Sequence, residues 1–133
     1  YTKSQVMQET TWNAKRAMDA MMREIRGAED IYSPTTSGSQ LSLKTSQYTS
    51  SGHAASFIDF FLCEEKLCFK RESGDPVVLT SNNVRVTELS FQEVRTSAAS
   101  SSVQVTLQVE YKNPNNRPEL ISSLELSSVA SVR

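Results

Sequence analysis

The first thirty residues carry apolar side chains at alternating intervals of three and four, which places them along one side of a helix. Two positions repeat in this way: Met7, Ala14, Met21 and Ala28 at one, and Thr11, Met18, Ile25 and Tyr32 at the other. The segment contains no proline, and Gly27 followed by Ser33-Pro34 marks its end. The spacing predicts one amphipathic helix over residues 3–31.

From Ser39 onward the apolar period changes from 3.6 to 2, which is typical of strands with one buried face. The predicted strands are a short one at Leu41 and Leu43, a hairpin within residues 55–71, and three more at Val84–Val94, Ser102–Tyr111 and Leu120–Val132. A bulge near Thr87-Glu88 would return Val84 and Leu89 to one face. The run from Asn113 to Pro118 predicts a turn. Together these patterns predict a single α+β domain, residues 1–133, whose helix covers one face of an antiparallel sheet formed by residues 39–133.

The hairpin is the most aromatic part of the chain, and its polar interruption Glu64-Glu65-Lys66 predicts the turn. If the turn is Glu65-Lys66, Cys63 faces Cys68 across the strands. One side then carries an apolar set that belongs on the core: Ile58, Phe60, Leu62, Leu67 and Phe69. The opposite side is mixed and is expected to face water.

The two cysteines of this hairpin are predicted to lie on neighbouring strands with their Cβ atoms close together. In an oxidising compartment Cys63 and Cys68 should form a disulfide. Because the closed loop is short, the bond contributes about 2 kcal/mol at best. Reduced thiols on the sheet surface and half of a metal site stay open as alternatives.

Composition limits the function classes. The chain has 133 residues, a net charge of −1 and no basic block, so its overall charge does not suggest nonspecific nucleic-acid binding, although a local patch stays open. No apolar run approaches the roughly 18 residues that cross a bilayer, and no leader pattern is present. Because the sequence starts at Tyr1 without a methionine, we expect that residues have been removed before it.

Candidate chemistry is sparse. His53 is the only histidine and stands in a Ser/Gly-rich loop without a recognisable nucleophile motif, so a catalytic or multi-histidine zinc role is not indicated. The serines show no nucleophile elbow. Asp75, Glu72 and Glu64-Glu65 could recruit calcium, but no loop has the D-x-D-x-D spacing. The sequence therefore predicts a non-enzymatic protein without a cofactor or metal.

Several segments resemble the soluble part of type IV pilin-like proteins, in particular the minor pseudopilins of type II secretion. In residues 21–29, an apolar pair, an Arg and a small residue precede the β domain, and in residues 79–91 a Leu-Thr pair leads into the pattern V-x-V-x-x-L-x-F. The other two segments are the hairpin residues Phe60-Phe61-Leu62 with Lys66-Leu67, and residues 128–133, which end in Arg. The resemblance implies a membrane-spanning first half of the helix that is missing here, an inner-membrane anchor, and a domain outside the cytoplasm in the bacterial cell envelope. It also implies assembly with other pilin or pseudopilin subunits in a filament, as a low-abundance subunit that helps to initiate it.

Three residues of the helix are predicted partner contacts. Trp12 lies roughly opposite the apolar stripe at about 100° per residue, and tryptophan is enriched in interface hot spots. The alternatives for Trp12 are packing under a loop of the same domain or lying beside a bilayer headgroup layer. Val6 and Met7 are expected to lie beyond the sheet, and therefore in contact with a partner rather than the core.

Two other functions stay open. An adhesive or DNA-binding tip pilin would need basic and aromatic residues together on the β face, for which Lys70, Arg71 and Phe61 are the candidates. A small extracytoplasmic binding domain unrelated to pili would pack its helix wholly on its own sheet.

Overall fold

The computed structural model describes residues 2–31, 38–45, 56–71, 74–97 and 100–132. Its helix, α1 (Lys3–Gly27), begins at a capping box. The Gln5 backbone N–H donates to the Thr2 hydroxyl at 3.2 Å, and the Thr2 backbone N–H donates to the Gln5 side chain at 2.8 Å. α1 ends before the predicted residue 31, because the Glu29 N–H donates to the Lys44 carbonyl at 2.8 Å and brings the chain into a strand.

The buried side of α1 agrees with the predicted stripe only in the second half of the helix. There the stripe is confirmed, since the following members are buried: Ala14, Met18, Met21 and Ile25. In the first half burial shifts to Val6, Thr10 and Asn13, whereas Met7 is exposed. A different side of the helix therefore packs against the rest of the fold near its start.

The described residues after α1 form eight strands and one 3₁₀ turn. They are β1 (Asp30–Ile31), β2 (Leu41–Thr45), β3 (Ser56–Cys63), β4 (Lys66–Arg71), β5 (Val77–Val78), β6 (Val84–Ser97), β7 (Ser100–Tyr111), η1 (Pro118–Leu120) and β8 (Ser123–Ser131). The α+β class is confirmed, but the prediction of a single sheet is wrong. The strands form two antiparallel sheets, ordered β1-β2-β3-β4-β5 and β6-β7-β8.

The two sheets meet through isolated hydrogen bonds rather than a continuous ladder. The Phe91 N–H of β6 donates to the carbonyl of Gly38, three residues before β2, at 2.8 Å. The Val86 N–H on the outer edge of β6 donates to the Glu65 carbonyl at the tip of the β3–β4 hairpin, at 2.8 Å. Alternation along each strand reports which face is buried but not which strands are neighbours, so the pattern cannot reveal this junction.

The register predicted for the β3–β4 hairpin is wrong by two residues. The turn is Glu64-Glu65, and Cys63 lies opposite Lys66 rather than Cys68. Both turn residues have positive φ, 51° and 64°, which is the geometry of the type I′ turn that matches the twist of paired strands.

Because the slip is even, the two faces of the hairpin stay as predicted. Ile58, Phe60 and Leu67 are buried on the core side, but the prediction of a core position is wrong for Leu62, which lies near the turn and is 37% exposed. The opposite side is only partly open to water, and Cys68 on it is fully buried. The expectation that this second side faces solvent is therefore wrong at Cys68.

The three-stranded sheet follows the sequence pattern closely. The predicted bulge is confirmed as a register shift between Val86 and Glu88. The predicted alternation on β7 is confirmed, with these residues buried: Val103, Val105, Leu107, Val109 and Tyr111. The predicted turn is present, with positive φ at Asn113 and Asn116. The last strand starts at Ser123 instead of Leu120, because Leu120 belongs to η1.

α1 packs mainly on β7 and β8. Buried residues of α1 and of both sheets form one core cluster. A smaller cluster of Val6, Tyr111 and Leu120 lies near the start of the helix. This arrangement fixes α1 along most of its length.

Candidate interaction surface

A hydrogen-bonded network ties the first half of α1 to the loop that precedes β6. Asn13 is fully buried, and its Oδ1 accepts from the Ser81 backbone N–H at 2.8 Å. The Glu9 Oε1 accepts from the Ser81 hydroxyl at 2.8 Å and from the Asn83 side-chain amide at 3.4 Å. The Asn13 Nδ2 donates to the Glu9 carbonyl at 2.9 Å. These bonds fix the rotation of the helix about its axis.

Val6 lies inside the fold, and the prediction that it extends beyond the sheet is wrong. Its side chain is 0% exposed and packs with Tyr111 and Leu120. The reason is that η1 and the end of β7 reach further along the helix than the strand pattern indicated. Val6 is therefore a core residue and drops out of the partner contacts.

Met7 and Trp12 lie on the uncovered side of the same half of α1, where their side chains are 52% and 54% exposed. They share this side with five polar residues, and we call the set the exposed helix face: Lys3, Ser4, Met7, Gln8, Thr11, Trp12 and Lys15. The Arg16 guanidinium lies 5.0 Å from the centre of the Trp12 ring, within cation–π range. More than half of Trp12 is thus left uncovered by the described residues.

The charged members of the exposed helix face are both basic, although Asp19 lies at its border beside Trp12. Lys3 and Lys15 belong to it, and Arg16 borders it. The nearest carboxylate in the sequence of this half, Glu9, is turned to the other side by its bonds to Ser81 and Asn83. The face therefore combines apolar area with positive charge.

The predicted disulfide between Cys63 and Cys68 is present, with a Cα–Cα distance of 6.1 Å. The two residues are diagonal neighbours, since Cys63 lies opposite Lys66 and Cys68 lies opposite Phe61. The prediction of a directly opposed pair is wrong, because the turn falls one residue earlier. The bond braces the hairpin whose tip contacts β6.

The basic and aromatic residues proposed for DNA binding do not form one patch. Lys70 lies opposite Asp59 on the side of the hairpin that carries Phe61. Arg71 is the next residue and lies on the other side, with its guanidinium 5.4 Å from the centre of the Phe69 ring. A negative charge beside Lys70 and the split between two faces give no support to a nucleic-acid site.

The remaining candidates for chemistry are not brought together. His53 and Glu72 lie outside the described residues. Within the described ranges, no three His, Cys, Asp or Glu side chains come close enough to hold a metal ion. No helix in these same ranges has the length and apolar content needed to cross a bilayer.

The Glu9–Asn13–Ser81 network is the feature that the sequence interpretation missed. The sequence feature that indicates this network is a pair of polar residues, Glu9 and Asn13, which are four positions apart and so lie on one side of the helix. Nothing local identifies Ser81 as their partner, since it is 68 residues from Asn13 in the chain.

No protein-family model, curated protein or solved structure matches the chain. The class that its own coordinates define is an α+β protein with one long helix on antiparallel sheets.

Proposed function

We propose that this chain is a structural subunit without enzymatic activity, a minor pilin or pseudopilin of a type II secretion system or type IV pilus. In this proposal α1 packs against helices of neighbouring subunits, and the sheets form the outer surface of the filament. The observation that carries the proposal is the exposed helix face, where Met7 and Trp12 present apolar area that the described residues leave uncovered.

The exposed helix face has the properties of a protein contact. An aromatic residue with a cation above its ring is a common hot-spot combination, since tryptophan and arginine are both enriched at interface centres. The opposite side of the same helix segment is fixed by Val6 and by the Asn13–Ser81 bond. A partner would therefore meet a preorganised surface and lose little conformational entropy by ordering it.

The proposed location is the bacterial cell envelope, with the domain outside the cytoplasm and an inner-membrane anchor preceding it in the full protein. The Cys63–Cys68 disulfide supports an oxidising location, because such bonds persist in extracytoplasmic compartments and are rare in the cytosol. The proposed partners are other pilin or pseudopilin subunits. In this proposal the chain helps to initiate assembly and needs no cofactor.

The test is site-specific crosslinking with the full-length gene in the organism that encodes it. A photoreactive benzoylphenylalanine replaces Met7, Trp12 or, as the control, Ile121. Ile121 is 70% exposed and apolar but lies outside α1. Crosslinks at Met7 and Trp12, but not at Ile121, to membrane-anchored subunits with a long N-terminal helix are the expected result. Equal yields at all three positions, or products without such subunits, would reject the proposal.

The coding sequence upstream of Tyr1 provides an independent test. The proposal requires a short basic leader ending in Gly, followed by about twenty apolar residues with an acidic residue near their start. A native gene that lacks this segment would rule out a pilin-like subunit, whatever the crosslinking shows.

A further inference from the structure

The strand β8 has a free edge whose backbone groups are unpaired among the described residues. β8 ends the order β6-β7-β8 and pairs with β7 alone. In an antiparallel ladder, residue pairs that exchange backbone hydrogen bonds alternate with pairs that do not. Two bonds show which pairs of this ladder do: the Tyr111 N–H donates to the Ser122 carbonyl, and the Val132 N–H donates to the Ser101 carbonyl. Even-numbered residues of β8 therefore bond to β7. The odd-numbered residues turn both backbone groups to the free edge: Ser123, Glu125, Ser127, Val129 and Ser131.

The other sheet edges of the described structure are protected, which makes β8 an exception. On β6 the outward N–H groups of Val86 and Phe91 are bonded to the carbonyls of Glu65 and Gly38, each at 2.8 Å. The edge strands of the larger sheet, β1 and β5, are two residues long, and Pro76 precedes β5. β8 is nine residues long and contains neither Pro nor a basic residue, the usual devices that block strand addition.

The side chains of β8 indicate what kind of strand would fit. Leu124 and Leu126 point to the α1 side and are only partly buried, although they pack against the core. An added strand would cover them if its own side chains on that face were apolar. Its other face would continue a mainly polar surface, on which Val129 is the only large apolar residue of β8 and Glu125 its only charge. Alternating apolar and uncharged polar residues meet both requirements.

We propose that the free edge of β8 binds, as an added strand, an extended segment of a different protein rather than a second copy of this chain, and that the segment has apolar side chains at alternating positions. This surface is separate from the exposed helix face and does not depend on the proposed function. Main-chain hydrogen bonds to the five outward-facing residues provide the affinity. The partly buried Leu124 and Leu126 favour a strand whose apolar side chains alternate with polar ones, because only such a strand covers both leucines.

The probe is a capped synthetic peptide with the sequence of residues 103–111, which already has the alternation that suits the opposite edge of β8. Its control has the same composition with apolar and polar residues grouped rather than alternating. Residue-resolved amide exchange of the intact chain is measured with and without each peptide. We expect saturating 103–111 peptide to slow exchange at least tenfold at the odd-numbered β8 amides, with little change at the even-numbered ones. The grouped peptide should have no such effect.

A pair of variants tests the same contact. Ser127→Pro removes an N–H that faces the free edge and bonds to nothing on β7, so the β7–β8 ladder is retained. Ser127→Ala keeps that N–H. We expect the proline variant to bind the peptide at least tenfold more weakly and the alanine variant within twofold of the original chain. If Ser127→Pro fails to fold, the exchange pattern of the unaltered chain decides.

Three results would overturn the proposal. The first is no saturable binding of the 103–111 peptide up to millimolar concentration. The second is protection located elsewhere than the odd-numbered β8 amides. The third is protection of those amides without peptide in a chain that sediments as a dimer, which would make a second copy the occupant. Failure of crosslinking at Met7 and Trp12 leaves these outcomes unchanged, so the two proposals fail separately.

Discussion

The side chain of Asn13, fully buried in α1, accepts a hydrogen bond of 2.8 Å from the backbone N–H of Ser81. The Ser81 hydroxyl in turn donates to Glu9 one helical turn earlier. Through its backbone N–H and its hydroxyl, Ser81 thereby forms hydrogen bonds with two residues of the helix, Asn13 and Glu9. This contact orients the first half of α1 so that Val6 faces inward and Trp12 faces outward.

Replacing Asn13 with Ala should lower the free energy of unfolding by about 2 kcal/mol, because the half-buried Ser81 N–H would lose its acceptor and the fully buried Asn13 side chain its packing. Urea denaturation followed by circular dichroism measures the change. Gln8→Ala, on the exposed side of the same helix, is the control and should stay within about 0.5 kcal/mol of the original chain. Equal effects of the two variants would show that the Asn13–Ser81 bond does not stabilise the fold.

Val6 and Met7 are adjacent in the chain and should respond oppositely to truncation. Val6→Ala removes two buried methyl groups from the cluster with Tyr111 and Leu120, and should cost about 2 kcal/mol of stability. Met7→Ala removes an exposed side chain, and should change stability by less than about 0.5 kcal/mol. Thermal and urea unfolding of both variants distinguish the core residue from the surface residue. A large loss for Met7→Ala would mean that this side chain is covered.

The sequence patterns predict what depends on local periodicity. The alternation from Val103 to Tyr111 identifies β7 and its buried face, because a strand with one buried side must alternate. Near Thr87-Glu88 the apolar residues shift from even-numbered to odd-numbered positions. This shift identifies the bulge, because one extra residue is needed to keep both sets on the buried face. In the second half of α1 the stripe is correct for the same reason.

The errors arise where distant parts of the chain decide the structure. The sequence pattern predicts a partner contact for Val6 because nothing near it in the chain indicates that η1 reaches it. The rotation of α1 likewise depends on Ser81, far along the chain. The placement of the two sheets beside each other depends on contacts between distant residues, Glu65 with Val86 and Gly38 with Phe91. Trp12 lies on the predicted exposed side, whereas Met7 is exposed although the stripe included it. The role of both residues as partner contacts stays a prediction.

Loss of the disulfide should weaken the fold only slightly. The loop closed by Cys63 and Cys68 is short, so the chain-entropy model gives about 2 kcal/mol at most. The Cys63→Ala/Cys68→Ala variant should therefore remain folded, with a lower urea midpoint. Adding a reductant should lower the midpoint of the original chain but leave that of the double variant unchanged. A variant that cannot fold would show that the bond holds more than the hairpin.

The exposed carboxyl of Glu119 should titrate below its ordinary range. Its own backbone N–H is the main cause of the lowered pKa, and the Arg117 guanidinium, whose Nε lies 2.6 Å from Oε1, is the second. Because the folded-state pKa is depressed, the stabilisation from these contacts is present above the unfolded-state pKa and is lost as pH falls through the folded-state value. NMR titration of Arg117→Met should show a pKa that rises but stays below normal, because the backbone contact remains. A fully normal pKa in that variant would assign the effect to Arg117 alone.

Changing the turn Glu64-Glu65 to Asn-Gly should stabilise the chain. Both residues have positive φ, a conformation that Gly adopts without strain and Asn adopts more readily than Glu. The change loses the ion pair between Glu65 and Arg85, but at 3.8 Å between exposed side chains this pair is worth less than about 1 kcal/mol. We expect Glu64→Asn/Glu65→Gly to raise the free energy of unfolding by about 1 kcal/mol.

The same dipeptide moved by one residue tests the register itself. Glu65→Asn/Lys66→Gly favours a turn that would place Cys63 opposite Cys68, in conflict with the pairs that the structure shows. It would also displace the Glu65 carbonyl from the Val86 N–H, and so weaken the junction between the sheets. Urea unfolding should therefore show a loss of stability for this variant and a gain for the first. Stabilisation by the shifted pair instead would mean that the hairpin turns at Glu65-Lys66, and that the two sheets meet in a different way.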